Sequence, residues 1–474
     1  MAWSLTGSVG FFVIQFAASV VVARLLTPAE MGVYGVSLSA LMLLTAFQNL
    51  GFQSYIVRQG GTLDRATLGT VFTMATVQGA ALAALVYLGA PLLAGFLDEP
   101  RITPALRILC LFALLSPIET IASGLLQRRM RFDLLTLMGL VRVTSAAGIA
   151  VGLASAGFSY ASLSWGASAA QLITTFVAFA LTGRELLGRP TFTRWREVWG
   201  YGSRILATMS LANVFARLPD IVLGKLAGIA TVGLYGRASG IVDAFTTGVL
   251  YGVHKVVLKA LVDSRERSGR VDLVYLRTLR AATGLFWPMF AGLAVLSGPV
   301  ITLVYGERWQ AAAPVLAFLS VAAIVQVSVM SRQEVLIATG RERELPKLEA
   351  IRGSAGLALF TIGATQGLVP AAASRVGEAL VQHGAYIGRV RAAADTSFAA
   401  LYRCYGASLV VTLAAIAPAT ALMSWHGWSP AVPLAQVLAA VAAGAVAWLA
   451  ALFATGHELR GEVVKGWRTV AARV

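Results

Sequence analysis

The sequence predicts an all-α protein that crosses a membrane about fourteen times. Three observations carry that reading. Apolar residues make up 57% of the 474 and charged residues only 13%, about half the charged share of a soluble domain. Apolar runs near twenty residues long recur from end to end, each long enough to cross roughly 30 Å of hydrocarbon as a helix. A twelve-residue phrase occurs twice, as RLLTPAEMGVYG at 24–35 and as KLAGIATVGLYG at 225–236.

Taken in order, spans are expected at 4–23, 31–52, 67–97, 103–126, 134–157, 160–183, 204–226, 231–254, 281–305, 309–338, 345–366, 368–388, 397–423 and 431–455. The third and tenth exceed the bilayer and call for tilt or extension beyond it. Between the first two, TPAE carries the signals of a helix restart. Thr27 is placed to cap, Pro28 suits the first turn, and Glu30 suits the N-terminal dipole. Gly32 and Gly35 leave a smooth surface for close helix packing. After the sixth span, RELLGRPTFTRWREVWGYGS (184–203) reads as a linker running into an amphipathic surface helix. Trp3, Trp195, Trp199, Trp309, Trp425 and Trp428 fall at or near span ends, where amphipathic rings prefer to sit.

The repeat fixes the topology. Six spans separate its two copies, an even number, so both copies leave the membrane on the same side. Two six-span halves are then related by an axis along the membrane normal, without inversion. This gives an N-lobe at 1–189, a C-lobe at 190–392, and two accessory spans with a tail at 393–474. A hinge within each copy would let one lobe tilt against the other; helix-hairpin packing left by duplication is the plainer alternative.

Lysine and arginine set the orientation. Of the 38, 25 fall on the side of the N-terminus, four on the other, and nine within spans. That bias puts both termini in the cytoplasm. The net charge of +16 thus reflects topology and attraction to anionic lipid, and no nucleic-acid partner is expected. Two cysteines and four scattered histidines offer no metal-ligand spacing. No GxxxxGK[ST], HExxH, CxxC or GxSxG occurs, so neither cofactor, metal nor enzymatic chemistry is expected.

Ionisable groups inside a membrane are costly and mark interiors or wet cavities. Arg217–Asp220, Glu349–Arg352 and Arg375–Glu378 are spaced i, i+3, which suits pairing on one helix face; Pro219 disturbs the first. Arg107, Arg204, Arg332 and Arg403 lie near span ends and are placed to snorkel. Arg142 and Arg237 have no acid within four residues and need a partner from elsewhere: water, an anionic substrate, or Glu119 or Asp243 on another helix. A surplus of permanently charged, forked guanidinium groups suits a phosphate-bearing cargo.

VVARLLTPAEMGVYGVSLSALMLLTAFQNLGFQSYIVRQ (21–59) resembles the N-terminal signature of the Wzx-type polysaccharide exporters of the multidrug/oligosaccharidyl-lipid/polysaccharide (MOP) superfamily. RLPDIVLGKLAGIATVGLYGRA (217–238), VYGERWQAAAPVLAFLSVAAI (304–324) and VLIATGRERELPKLEAIR (335–352) resemble later signatures of the same family, in the expected order. Beyond 350 only the hydropathy matches. The resemblance implies a MOP/MATE-like fold and a flippase that exports undecaprenyl-diphosphate-linked oligosaccharide units across the bacterial inner membrane by alternating access. It also implies exopolysaccharide, capsule or O-antigen assembly, and the company of a polysaccharide polymerase and a chain-length regulator. From depth and charge, Arg142, Arg217, Arg237 and Arg375 are assigned to the head group, with Asp220 and Glu119 as charge partners. The repeat places Arg24 and Lys225 at an outer gate.

Three rivals remain. A drug or cation antiporter of the superfamily would want acids in the first lobe, where Glu119 stands alone inside the spans. A flippase for lipid-linked peptidoglycan precursors would share the cationic cavity. A membrane polymerase or ligase would want a sizeable outer loop, and the longest outer connection is under ten residues.

Overall fold

A computed structural model describes residues 2–45, 51–59, 64–183 and 190–461; side chains at 2–9, 11–13, 204–212, 247–256 and 268 fall outside that description. Every regular element among the described residues is a helix. In order these are α1 (Ala2–Leu25), α2 (Pro28–Thr45), α3 (Phe52–Arg58), α4 (Arg65–Phe96), α5 (Ile102–Arg128), α6 (Phe132–Ser155), α7 (Ala161–Thr182) and α8 (Trp195–Ala227). There follow α9 (Ile229–Ser268), α10 (Asp272–Val295), α11 (Ser297–Tyr305), a 3-10 segment (Glu307–Ala312), α12 (Ala313–Val327), α13 (Arg332–Ala338), α14 (Leu345–Thr365), α15 (Leu368–Ala393), α16 (Phe398–Trp425) and α17 (Leu434–Ala454). Counting α10 with α11 and 307–338 as single passes, the long helices follow the fourteen expected spans. Among the described residues, seven helices, or eight with the bent α10–α11 pair, are long and apolar enough to cross a membrane on composition alone. Among the rest, α8, α9, α14 and α15 each carry at least two charged residues within the expected spans.

The chain forms two compact units, Met1–Gly236 and Arg237–Val474. In the first, α5 is central and packs on α4, α7, α2 and α3, while α6 packs on α7 and α1, and α2 on α8. In the second, α12 packs on α10 and α15, α14 pairs with α15, and α16 lies against α10 and α17.

The helix restart takes the form expected of it. The Thr27 backbone N–H and hydroxyl both donate to Glu30 Oε2 at 2.8 Å, and Glu30 N–H donates back to Thr27 Oγ1 at 3.3 Å. This reciprocal box satisfies N–H groups that a helix start leaves orphaned. Glu30 also accepts from the Ser159 hydroxyl, tying the α6–α7 turn to the start of α2.

The two copies of the repeated phrase pack on each other within the first unit. A β-carbon at Gly32 would lie 1.9 Å from the Ile229 carbonyl oxygen, and one at Gly233 would lie 2.0 Å from that of Pro28. With the repeat offset of 201, Pro28 answers Ile229 and Gly32 answers Gly233. The contact is therefore its own mirror under the repeat, as a two-fold interface requires. Only glycine lets backbones approach this closely.

Several boundaries differ from expectation. The ninth span breaks at Leu296, where α10 and α11 meet at 76°; Pro299 lies in the first turn of α11, where its missing N–H costs no helical bond. The tenth span runs on as one pass over 307–338 but is interrupted by a turn, with α12 ending at Val327 and α13 starting at Arg332. Residues 195–203 form no separate surface helix but the first turns of α8; 184–189 lie outside the described residues. Trp309, expected near an interface, is fully buried against Tyr305, ring centroids 6.0 Å apart. The 3-10 segment to which it belongs turns its ring inward.

Candidate functional site

In the first unit the polar residues of α5, α6 and α7 converge. Pro117 cannot donate to the Ala113 carbonyl, four residues back. The Ser116 hydroxyl donates to it instead at 3.2 Å, as helices in lipid require. Two residues on, Glu119 Oε2 accepts from Gln171 Nε2 at 2.9 Å, and Oε1 lies 3.7 Å from Arg142 Nη1. The latter is an ion pair beyond hydrogen-bond length, so the guanidinium fork is not consumed by its partner. Arg142 and Glu119 line a cavity of about 340 Å³ with Gln53, Ser116, Thr120 and Ser123. The Arg142 side chain is 44% exposed and Glu119 19%. Such a site offers one forked cation, hydroxyls and an amide to an anion, with a carboxylate to hold the cation when the anion is absent.

In the second unit a ladder of charges joins α13, α14 and α15. Arg375 Nη1 lies 2.6 Å from Glu378 Oε2, and Arg352 Nη1 lies 2.5 Å from Glu378 Oε1. Arg352 Nε reaches Glu349 at 2.8 Å, while Arg332 stands 4.0 Å from Glu349. The Tyr386 hydroxyl donates to Glu349 at 2.9 Å. Arg332 stacks over the Tyr386 ring at 5.2 Å and Arg375 over Phe360 at 4.5 Å. With its amide turned to match, Gln382 accepts from Arg332 Nη2 at 2.8 Å. A β-carbon at Gly356 would fall 2.6 Å from the Glu378 carboxyl carbon, so glycine makes the room that this buried carboxylate occupies. Three guanidinium groups thus share two carboxylates.

The structure treats the expected residues unequally. Arg142 meets Glu119, one of the partners foreseen. Both the Glu349–Arg352 and Arg375–Glu378 pairs form, but Arg352 links them across two helices. Arg332, expected to snorkel, is drawn into the ladder. Asp220 accepts from the Ser39 hydroxyl at 2.5 Å, and among the described residues Arg217 makes no ion pair with it. Lys225 Nζ pairs with Asp98 at 2.8 Å and sits 5.3 Å from the Phe96 ring centroid. Arg24 is exposed in the last turn of α1, and Arg237 lies two turns into α9; both engage other groups of the chain. The sequence carried a signal for the missed Arg352–Glu378 link. The two residues sit symmetrically about the α14–α15 turn, so an antiparallel hairpin brings them level.

Beside Lys225, the turn between α4 and α5 folds on itself. Arg101 donates to both oxygens of Glu99 at 2.8 Å, and these bonds hold the Glu99 carboxyl below its usual range. A second cavity, of about 450 Å³ and apolar, lies among α9, α10, α16 and α17, lined by Phe245, Leu285, Met289, Val441 and Trp448. No cluster of three or more metal-ligating side chains occurs among the described residues.

Residues 21–314 match the family described as polysaccharide biosynthesis protein. The chain is 22% identical over 353 residues to the teichuronic acid biosynthesis protein TuaB of Bacillus subtilis, covering 72% of this chain and 70% of that protein. It is 26% identical over 334 residues to the succinoglycan biosynthesis transport protein ExoT of Rhizobium meliloti, covering 68% and 65%. The lipopolysaccharide biosynthesis protein WzxC of Escherichia coli is 21% identical over 332 residues, covering 68% and 66%. Among solved structures, the lipid II flippase MurJ superposes with a TM-score of 0.79 at 13% identity, over 95% of this chain and 97% of that one. An inward-facing MATE-family transporter of the MOP superfamily superposes with a TM-score of 0.66 at 17% identity, over 82% and 96%. At these identities the structures speak for the fold alone. The chain belongs to the polysaccharide biosynthesis protein family and is a multi-pass membrane protein with the fold seen in transporters of the MOP superfamily.

Proposed function

We propose that this protein is a transporter, an alternating-access flippase for oligosaccharide units linked to undecaprenyl diphosphate. It works in the bacterial inner membrane with both termini in the cytoplasm, and carries the units from the cytoplasmic to the periplasmic leaflet. The observation that carries this reading is the guanidinium of Arg142, set in a polar cavity beside a carboxylate too distant to hydrogen-bond it. A diphosphate with a sugar head cannot cross hydrocarbon unaided, since stripping water from its charges costs far more than lipid returns. Forked guanidinium groups replace that water. The tail needs no such help, and the apolar cavity of the second unit suits hydrocarbon. Membrane potential, negative inside, favours outward movement of the anionic head by about 2.3 kcal/mol per charge per 100 mV.

In this reading Arg142, Arg217, Arg237 and Arg375 meet the head group, and Glu119 holds Arg142 between loads. Arg24 and Lys225 serve the outer gate, with Asp98 as the latch for Lys225. A lobe division at 1–189, 190–392 and 393–474, set by the internal repeat, belongs to the same proposal. Similarity to TuaB, ExoT and WzxC favours the polysaccharide branch over the peptidoglycan-precursor one. The test is export by Arg142→Ala and Arg237→Ala in cells, with the folded protein quantified in the membrane. Loss of surface polysaccharide at normal protein level is expected; normal export by both variants overturns the assignment.

A further inference from the structure

The Arg142 cavity and the charge ladder leave another basic residue of the first unit unused. Arg107 lies five residues into α5, about 7 Å below the helix start. It is exposed and makes no ion pair among the described residues. A guanidinium that simply sought water would lean toward the helix end. This one lies over the ring of Tyr87, 4.7 Å from its centroid, and Tyr87 is nine residues from the end of α4, about 14 Å down. Arg107 and Tyr87 line an open pocket of about 490 Å³ with Thr103, Ile108, Leu111 and Trp165.

The pocket opens where hydrocarbon would be. Leu88 and Leu92, on the same helix as Tyr87, are 73% and 77% exposed, a degree of apolar exposure suited to lipid. Trp165, one turn into α7 and so near the helix end where amphipathic rings meet head groups, is 42% exposed, and Tyr87, deeper in the pocket, is 46% exposed. Among the described residues, neither the Thr103 hydroxyl nor the Trp165 indole N–H donates a hydrogen bond to the protein. The pocket therefore presents a fixed cation and two free donors above an apolar wall.

We propose that this pocket binds the phosphate of a lipid in the leaflet at the Thr27 end of the unit. Arg107 forks onto the phosphate oxygens, Thr103 and Trp165 donate to the remaining ones, and Ile108 and Leu111 bear the first carbons of the chain. Phosphate is favoured over a bare sugar because a permanent cation in a lipid-facing pocket calls for a counter-charge. Two lipids share the needed chemistry, a membrane phospholipid and a polyprenyl phosphate.

The test is native mass spectrometry of the purified full chain in detergent. The chain is titrated separately with phosphatidylglycerol, undecaprenyl phosphate, and two phosphate-free lipids, diacylglycerol and glucosyl-diacylglycerol. Losing one set of charge-assisted bonds should weaken retention of one phosphate lipid roughly ten-fold in Arg107→Ala. Leu111→Trp, which fills the pocket and keeps the arginine, should do the same; Arg107→Lys should lose less. Retention of both phosphate lipids identifies a general lipid-phosphate site, and retention of undecaprenyl phosphate alone identifies the carrier lipid. Equal retention by wild type, Arg107→Ala and Leu111→Trp overturns the proposal, as does equal retention of the phosphate-free lipids.

Discussion

Alanine at Gly32 would set a methyl carbon 1.9 Å from the Ile229 carbonyl oxygen. The obstacle is backbone, so no rotamer change relieves it. To reach an ordinary contact of about 3.2 Å, α2 and the start of α9 must separate locally by roughly 1.3 Å. Overpacking of this kind costs about 1–3 kcal/mol. Gly233→Ala meets the Pro28 carbonyl at 2.0 Å and should cost the same. The two contacts are reciprocal, so the separation forced by one alanine makes room for the other. The double variant should therefore lose less than the sum of the singles, with a coupling of about 1 kcal/mol or more. Thermal unfolding of the four proteins in one detergent measures this. For units of this size each kcal/mol shifts the midpoint by about 2–4 °C. Wild-type midpoints in both singles would refute the close crossing; strictly additive losses would refute its reciprocity.

Other consequences follow from the charges. Glu378→Gln leaves Arg352 and Arg375 without their shared carboxylate; as a broken buried pair it should cost about 3–5 kcal/mol, read as a large fall in thermal midpoint. Asp98→Asn breaks an ion pair whose carboxylate is 81% exposed. It should cost under about 1 kcal/mol, and 1 M salt should mimic it. Glu119→Gln keeps the Gln171 bond and removes the counter-charge of Arg142. Under the proposed function export should slow without loss of folded protein; unchanged export would count against a role for the pair. His457 packs into the second unit, with Leu459 N–H donating to its Nδ1 at 3.3 Å. Burial, aided by Arg280 nearby, lowers its pKa. The folded chain then binds fewer protons there than the unfolded chain, so this contribution is present above about pH 6.5 and lost as pH falls below it. Protease cleavage after α17 should rise below that pH in wild type, and a flat profile would contradict the buried neutral imidazole.

Most of the fold was legible because hydropathy and the repeat act over many residues. Fourteen apolar runs, each bounded by basic or turn residues, left little choice of helix. The breaks were not legible. The run 281–305 stays apolar through Leu296, and nothing in its hydropathy distinguishes a straight pass from a 76° bend. Trp309 misled because amphipathic rings near span ends usually anchor at interfaces, while here tertiary packing buries it. At the candidate site, pairs spaced i, i+3 could be read from helix geometry alone. Arg142–Glu119, Arg352–Glu378 and Ser39–Asp220 join different helices, and their partners depend on which helices face one another. Arg217–Asp220 failed for a related reason: Pro219 lies within the pair, and Ser39 takes the carboxylate from across the α2–α8 contact.

The most direct measurement is flipping by the purified protein in proteoliposomes. Undecaprenyl-diphosphate-linked oligosaccharide is loaded in both leaflets, and a membrane-impermeant glycosidase is added outside. The protected inner pool is expected to become cleavable far faster than in protein-free vesicles, and Arg142→Ala to abolish the gain. Cleavage that stops at the outer pool with wild-type protein present, in vesicles that remain sealed, would contradict it.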